Sequence, residues 1–109
     1  MGEYRINISD LAKQDIRETA TYIRYDLQEP TIAEKATEAI LDAIFTLEDM
    51  PARIGLANDE RLAKKQVRGL HIKNYTVFFR INETLKAVEI IRVVYSRRDW
   101  PTLLLLQGM

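Results

Sequence analysis

The first half of the chain shows one strand pattern followed by a helical pattern. Residues 3–8 place Tyr4, Ile6 and Ile8 at alternate positions, which predicts a short half-buried strand. Ser9 can cap the helix that follows, because its hydroxyl accepts hydrogen bonds from the free amides of the first turn. That helix carries one apolar stripe at spacings of four, three and four residues, formed by Ile16, Ala20, Ile23 and Leu27.

A second helical pattern follows after a short break. Glu29 precedes Pro30, and the residue before a proline disfavours helical geometry. Thr31 and Glu34 then have the spacing of a capping box, with threonine at the cap and glutamate three residues later. Because the link is short, we expect two antiparallel helices packed as a hairpin. The second helix is expected to run to about residue 47 and to bury Ala36, Ala39, Ile40, Ala43, Ile44 and Leu47.

Beyond the helices the period of the apolar positions changes to two, which predicts three strands. The order of elements is strand, helix, helix and then three strands. This order predicts an α+β domain in which an antiparallel four-stranded sheet carries the N-terminal helical hairpin on one face. We expect the other face to be open and therefore available for function. The late strands are expected over residues 66–73, 75–81 and 87–95, with a tight turn at 73–74, a hairpin loop over 82–86, and a loop or broken short helix over 52–64.

The amino-acid composition limits the domain organisation and the kinds of site that the chain can form. The 109 residues, 47% of them hydrophobic, are expected to form a single domain over 1–109. The chain has no cysteine and one histidine, which excludes disulfides and thiol nucleophiles and disfavours metal sites, so we expect no metal and no cofactor. The longest aliphatic run is the four leucines at 103–106, which predicts no membrane segment and a cytoplasmic location.

The formal net charge of zero hides a split along the chain. Residues 1–50 contain 5 basic and 11 acidic side chains, whereas residues 51–109 contain 11 basic and 5 acidic ones. The helical half is thus at −6 and the sheet half at +6. A basic half can meet phosphate or an acidic protein, although two ordinary solvated faces would give the same count.

The basic residues of the sheet half are candidates for the open face. Glycine inside a strand often marks a bulge, and a bulge at Gly69 would turn Arg68, His71 and Lys73 outward. Guanidinium groups beside aromatic rings suit nucleic acid, because arginine binds phosphate and rings stack on bases. In this arrangement Val67, Leu70 and Ile72 point inward, and the further candidates are Arg80, Arg92, Arg97 and Arg98.

Several of these residues also have structural interpretations. Arg92 lies in an apolar strand and can be paired with Glu89 or Asp99, and His71 can be a surface residue rather than a general base. No phosphate loop, nucleophile elbow or metalloprotease motif is present. Chemistry on RNA would still be open, because its 2′-hydroxyl supplies the nucleophile. The leucines at 103–106 are expected to pack on the helical hairpin, with an exposed partner site as the alternative.

Four segments together resemble the RelE/ParE superfamily of bacterial toxins. The Arg-Val-x-Tyr-x-x-Arg-Asp pattern in the last strand is the most specific of them, and the helix pair and three-strand order agree with the elements predicted above. The segments are residues 29–36 (EPTIAEKA), 47–51 (LEDMP), 73–81 (KNYTVFFRI) and 91–100 (IRVVYSRRDW).

The resemblance implies a toxin of a type II toxin–antitoxin module that is neutralised by a cognate antitoxin. RelE-like members cleave mRNA on the ribosome without a metal, and we take this as the first hypothesis. ParE-like members inhibit DNA gyrase without chemistry of their own, and this is the alternative. Thr76 stands where RelE-like chains usually have an arginine, and the ending at 97–99 is closer to ParE. A remnant that retains only antitoxin binding is a third possibility.

The resemblance also suggests roles for residues in the first hypothesis. Arg97 would stabilise the scissile phosphate, with His71 or Tyr95 as acid or base. Arg68 and Lys73 would position the RNA. The remaining residues that the hypothesis assigns to binding RNA or another target are Arg80, Arg92 and Arg98.

Overall fold

A four-stranded sheet with a helical hairpin against one face is formed by residues 2–95, which the computed structural model describes. No helix in this part of the chain is both long and apolar enough to cross a bilayer. The strands are β1 (Arg5–Ile8), β2 (Arg68–Ile72), β3 (Tyr75–Asn82) and β4 (Ala87–Tyr95); the helices are α1 (Asp10–Thr21), α2 (Pro30–Phe45) and α3 (Glu60–Lys64).

The sheet is mixed, so the expectation of a fully antiparallel sheet is wrong. Its order is β1-β4-β3-β2, and β1 pairs with β4 in parallel. The reason lies in the path of the helical hairpin, which returns the chain to the end of the sheet where β1 starts. There the amides of Glu3 and Tyr4 donate to the carbonyl of Glu48 at 2.9 and 3.1 Å. Two reversals, from β2 to β3 and from β3 to β4, then give β4 the direction of β1.

The two long helices begin by different means. Ser9 caps α1 as expected, and its hydroxyl accepts from the amide of Ala12 at 3.0 Å. The capping box expected at Thr31 does not form. Instead, α2 starts at Pro30, because the first turn of a helix does not need the N–H group that proline lacks. Glu29 is the cap residue, and its side chain makes no capping hydrogen bond. Between the helices, residues Tyr22–Asp26 form a single π-helical turn.

The main core lies between the hairpin and the sheet. Ile16 of α1 and the stripe of α2 face alternate residues of the strands, so helical and strand periods meet in one apolar layer. On the second helix and its 3₁₀ extension, Ala36, Ile40, Ile44 and Leu47 are buried as expected. The sheet contributes Val77, Phe79, Val88, Ile90 and Val93.

The other face of the sheet is partly covered, which corrects the expectation that it is open. The segment after α2 crosses this face and carries the short helix α3. Leu62 and Val67 from this segment are fully buried against Phe78 and Val94, and form a second, smaller core. The sequence analysis expects Val67 to point into the main core. In the structure Val67 packs on the opposite face of the sheet, in the second core.

The irregularity in the sheet lies in β4 and not at Gly69. Phe78 pairs with Arg92 and Phe79 with Ile90, so Ile91 is an extra residue in β4. Strand β2 keeps a regular register and Gly69 lies opposite Phe78. A Cβ at Gly69 would make ordinary van der Waals contact with the Thr76 methyl group at 3.4 Å, so neither a bulge nor close packing requires a glycine here.

One carboxylate joins the helical layer to the edge of β4. Strand β1 covers β4 only as far as Ile90, and α1 begins at that point. Asp15 of α1 accepts from the amide of Val93 at 2.9 Å and from Arg92 Nε and Nη2 at 2.7 and 2.8 Å. Both side chains of this ion pair are close to 10% exposed. The hydrogen bonds that Arg92 donates to Asp15 raise the pKa of Arg92 above its usual value. Arg92 is therefore paired with Asp15 and not with Glu89, whereas Asp99, the other expected partner, lies outside the described residues.

Replacing Asp15 should destabilise the fold strongly. Asp15→Ala leaves the Arg92 guanidinium buried without its carboxylate and removes the acceptor of the Val93 amide, so we expect a loss of about 3–5 kcal/mol of unfolding free energy. Urea denaturation followed by circular dichroism measures it. Glu38→Ala, at an exposed site of α2, is the matched control and should change stability by less than about 0.5 kcal/mol. A similar small effect at Asp15 would contradict the assigned role.

Candidate functional site

The arginines expected on an open basic face are engaged with the chain itself. Arg68 pairs across the strands with Phe79, so it lies on the helical side of the sheet and not on the outer face. Its Nη1 donates to the carbonyl of Ile54 at 2.6 Å. Arg80 is on the outer face, where its Nε donates to the carbonyl of Lys65 at 2.9 Å. Each guanidinium thereby fixes part of the long connection between α2 and β2.

His71 lies on the outer face beside a buried hydroxyl. Its Nδ1 is 3.0 Å from Oγ1 of Thr76, which is only 4% exposed. This hydrogen bond leaves the other ring nitrogen, Nε2, for a contact from outside. Lys73 is exposed in the turn between β2 and β3, with a φ of 53°. Arg92 is buried against Asp15, so it is not part of this surface.

Tyr95 lies on the opposite side of the sheet from His71. Its ring meets that of Tyr75 edge to face, with centroids 5.8 Å apart. Tyr75 packs against the main core, and its pKa is raised by burial and then by the neighbouring Tyr95 and Tyr22. The structure therefore does not bring His71 and Tyr95, the two candidate acid–base residues, into one site. Arg97 and Arg98 lie outside the described residues.

Tyr95 lines a groove that the sequence analysis did not anticipate. The groove has a volume of about 660 Å³ and lies between α1 with its π-helical turn, the start of α2, and the ends of β3 and β4. Its floor includes Ile23 and Val93, which are buried. A sequence signal existed, because Leu27 and Ile32 are apolar residues on both sides of the Pro30 break. Periodicity assigns Leu27 to a core stripe, yet Leu27 and Ile32 are each 52% exposed.

Comparison with known proteins identifies the family. The sequence profile of the ParE toxin of type II toxin–antitoxin systems, parDE, matches residues 6–100. The chain belongs to the ParE toxin family. It is thus a member of the RelE/ParE superfamily, as the sequence resemblance indicated.

Solved structures agree with this family in fold. A chain of the chromosomal ParDE toxin–antitoxin system from P. aeruginosa superposes with a TM-score of 0.71 at 19% identity, covering 85% of this chain and 96% of that one. A chain of the RelBE2 toxin–antitoxin complex from Mycobacterium tuberculosis gives 0.62 at 19% identity, covering 85% and 98%. A search of curated proteins finds no match. The fold is thus common to ParE-like and RelE-like chains, and it does not by itself distinguish their targets.

The site contains little that could hold a metal. Among residues 2–95, no three side chains of His, Cys, Asp or Glu lie together in a way that could bind an ion.

The structural role of Arg68 can be tested against an exposed cation. Arg68→Met keeps an apolar stem and removes the donor to the Ile54 carbonyl, so we expect a loss of about 1.5 kcal/mol or more. Lys73→Met, in the exposed turn, removes the same charge and should cost less than about 0.5 kcal/mol. Equal urea midpoints for the two variants would show that Arg68 does not hold the connection in place.

Proposed function

We propose that this ParE-family toxin arrests growth by binding DNA gyrase through protein contacts, without catalysis of its own. The observation that carries the proposal is the separation of His71 from Tyr95 by the sheet. A ribonuclease that uses 2′-hydroxyl attack needs an acid and a base on the same phosphate. The described residues place these two candidates on opposite faces.

Two further features support the gyrase hypothesis over RNA cleavage. Thr76 stands where the family resemblance expects an arginine in the ribonucleases, and its hydroxyl is buried. Arg68 and Arg80 each have one nitrogen bonded to a backbone carbonyl, and Arg92 is held by Asp15. The Asp15 carboxylate occupies the Nε–Nη2 edge of Arg92, and backbone carbonyls tie Arg68 and Arg80 to the connection between α2 and β2, so a phosphate would have to use the remaining N–H groups.

Ribosome-dependent mRNA cleavage is the second candidate. It is favoured by the 3.0 Å hydrogen bond between His71 and Thr76, which orients the only imidazole of the chain on the outer face. In that mechanism His71 would act as the acid or base, while Arg97, outside the described residues, would stabilise the phosphate. Lys73 remains an exposed cation that could contact RNA.

A pair of assays with one variant separates the two functions. If gyrase is the target, purified toxin should convert supercoiled plasmid to linear DNA in the presence of gyrase and ATP, once the protein is denatured. His71→Gln should then leave the toxic dose unchanged within about twofold, because the residue is an exposed strand position.

The opposite pattern would support the ribosomal target. Toeprints on translating ribosomes would show codon-specific breaks, and His71→Gln would lower the cleavage rate by about 10²–10⁴-fold, the usual contribution of an acid–base group. Lys35→Gln, at an exposed site of α2 that neither hypothesis uses, is the control for a simple loss of surface charge. A chain that yields neither gyrase cleavage complexes nor mRNA breaks at growth-arresting doses would overturn both proposals. If the chain does not arrest growth at all, the remnant hypothesis is favoured.

We also propose that a cognate antitoxin neutralises the chain. Both structural neighbours come from toxin–antitoxin systems, and the sheet half has a net charge of +6 that can attract an acidic partner. Co-expression of the adjacent reading frame should restore growth, whereas the same frame with an early stop codon should not. The association rate of the purified pair should fall about tenfold or more between 50 and 500 mM salt. A rate that does not depend on salt would exclude electrostatic steering.

A further inference from the structure

The groove beside Tyr95 exposes apolar surface that nothing in residues 2–95 covers. Tyr22, Leu27 and Ile32 border it, and each is 52–54% exposed. Side chains of this kind, gathered round a concave floor of buried aliphatic residues, are typical of a binding site for an apolar segment. Glu18 and Glu29 also line the groove and give it an acidic rim.

The chain carries an apolar segment that starts from this groove. Tyr95 lines the groove and is the last described residue, so the following 14 residues begin there. Two arginines follow at 97 and 98, and four consecutive leucines at 103–106. Leu103 is eight positions beyond Tyr95, and an extended chain of eight steps reaches at most about 29 Å. The leucines can therefore reach any part of the groove without a long linker.

The leucine segment lies beyond the part shared with the family. The family profile ends at residue 100. The two solved relatives are covered over 96% and 98% of their length, although each alignment covers only 85% of this chain. The leucines at 103–106 therefore lie outside the residues that the family profile matches.

We propose that the groove binds the chain's own residues 103–106. The leucines would cover Leu27, Ile32 and the floor of the groove, and Arg97 and Arg98 would face the acidic rim formed by Glu18 and Glu29. Burial of apolar surface supplies the affinity, and the short link makes the contact intramolecular at a high effective concentration. This proposal concerns the folded chain alone and does not depend on which target the toxin inhibits.

Introduced cysteines test the contact directly, because the natural chain has none. The double variant Ile32→Cys with Leu104→Cys places one thiol on the groove and one in the leucine segment. Under mild oxidation of the purified full-length chain, we expect an intramolecular disulfide, detected by mass and by mobility on a non-reducing gel. The matched control is Leu85→Cys with Leu104→Cys, since Leu85 is 56% exposed but lies in the turn at the other end of β4.

The relative cross-linking rates of the two cysteine pairs show whether the leucine segment lies in the groove or elsewhere. Cross-linking at position 32 at least about tenfold faster than at position 85 would support the proposal, since effective concentration sets the rate. Similar rates at both positions, or no cross-link at position 32, would overturn it. A covalent dimer would also overturn it, because the groove would then bind the segment of a second copy.

A deletion provides a second test that needs no cysteine. Removing residues 103–109 should lower the melting temperature of the free chain by about 5 °C, the shift expected when a small domain loses a modest apolar contact. Removing only residues 107–109 keeps the leucines and should leave the melting temperature unchanged. Equal melting temperatures for the two truncated chains would show that the leucines do not contribute to the fold.

Discussion

The carboxylate of Asp15 fixes how the helices meet the sheet, and the shape of the molecule depends on that junction. Strand β1 is only four residues long, so the edge of β4 beyond Ile90 has no strand beside it. Asp15 accepts the Val93 amide in place of that strand and at the same time neutralises the buried Arg92. A buried guanidinium without a partner would cost several kcal/mol, so the orientation of α1 is set by this one group. The groove lies directly above, since Asp15 and Val93 both line it.

The covered outer face changes what the sheet half can do. Helix α3 and its flanking loops give Phe78 and Val94 an apolar partner in Leu62, and the connection is then held by Arg68 and Arg80 through backbone carbonyls. The segment contains only two 3₁₀ turns and the short helix α3, so it depends on such side-chain contacts for its attachment. The two arginines fix it at two points, Arg68 on the helical side of the sheet and Arg80 on the outer face.

Short-range sequence patterns predicted most of the helices and strands. The wrong predictions concern contacts between residues that are far apart in the sequence. Period-two alternation located β4, and hydroxyl chemistry located the cap at Ser9, because both depend on neighbours in sequence. The partner of Arg92 is 77 residues away, and no local rule selects Asp15 from among eleven acidic residues in the helical half. The extra residue at Ile91 had a visible trace, since adjacent apolar residues at 90–91 and 93–94 break strict alternation. The candidate site was predicted less well, because it required knowing which face each side chain occupies.

In the basic half, a hydrogen bond to a carbonyl can occupy an N–H group of an arginine without neutralising its positive charge. Arg68 and Arg80 donate to carbonyl oxygens rather than to carboxylates, so their positive charges are not cancelled although one nitrogen of each is occupied. The field of such groups extends over about a Debye length and can guide an acidic protein toward the sheet. Recognition of a phosphate needs a guanidinium edge turned outward, whereas Arg68 and Arg80 each turn one nitrogen toward the chain's own backbone. A sheet half that keeps its positive field while its arginines hold the connection between α2 and β2 is suited to attract an acidic protein, and this is the physical reason for favouring a protein target.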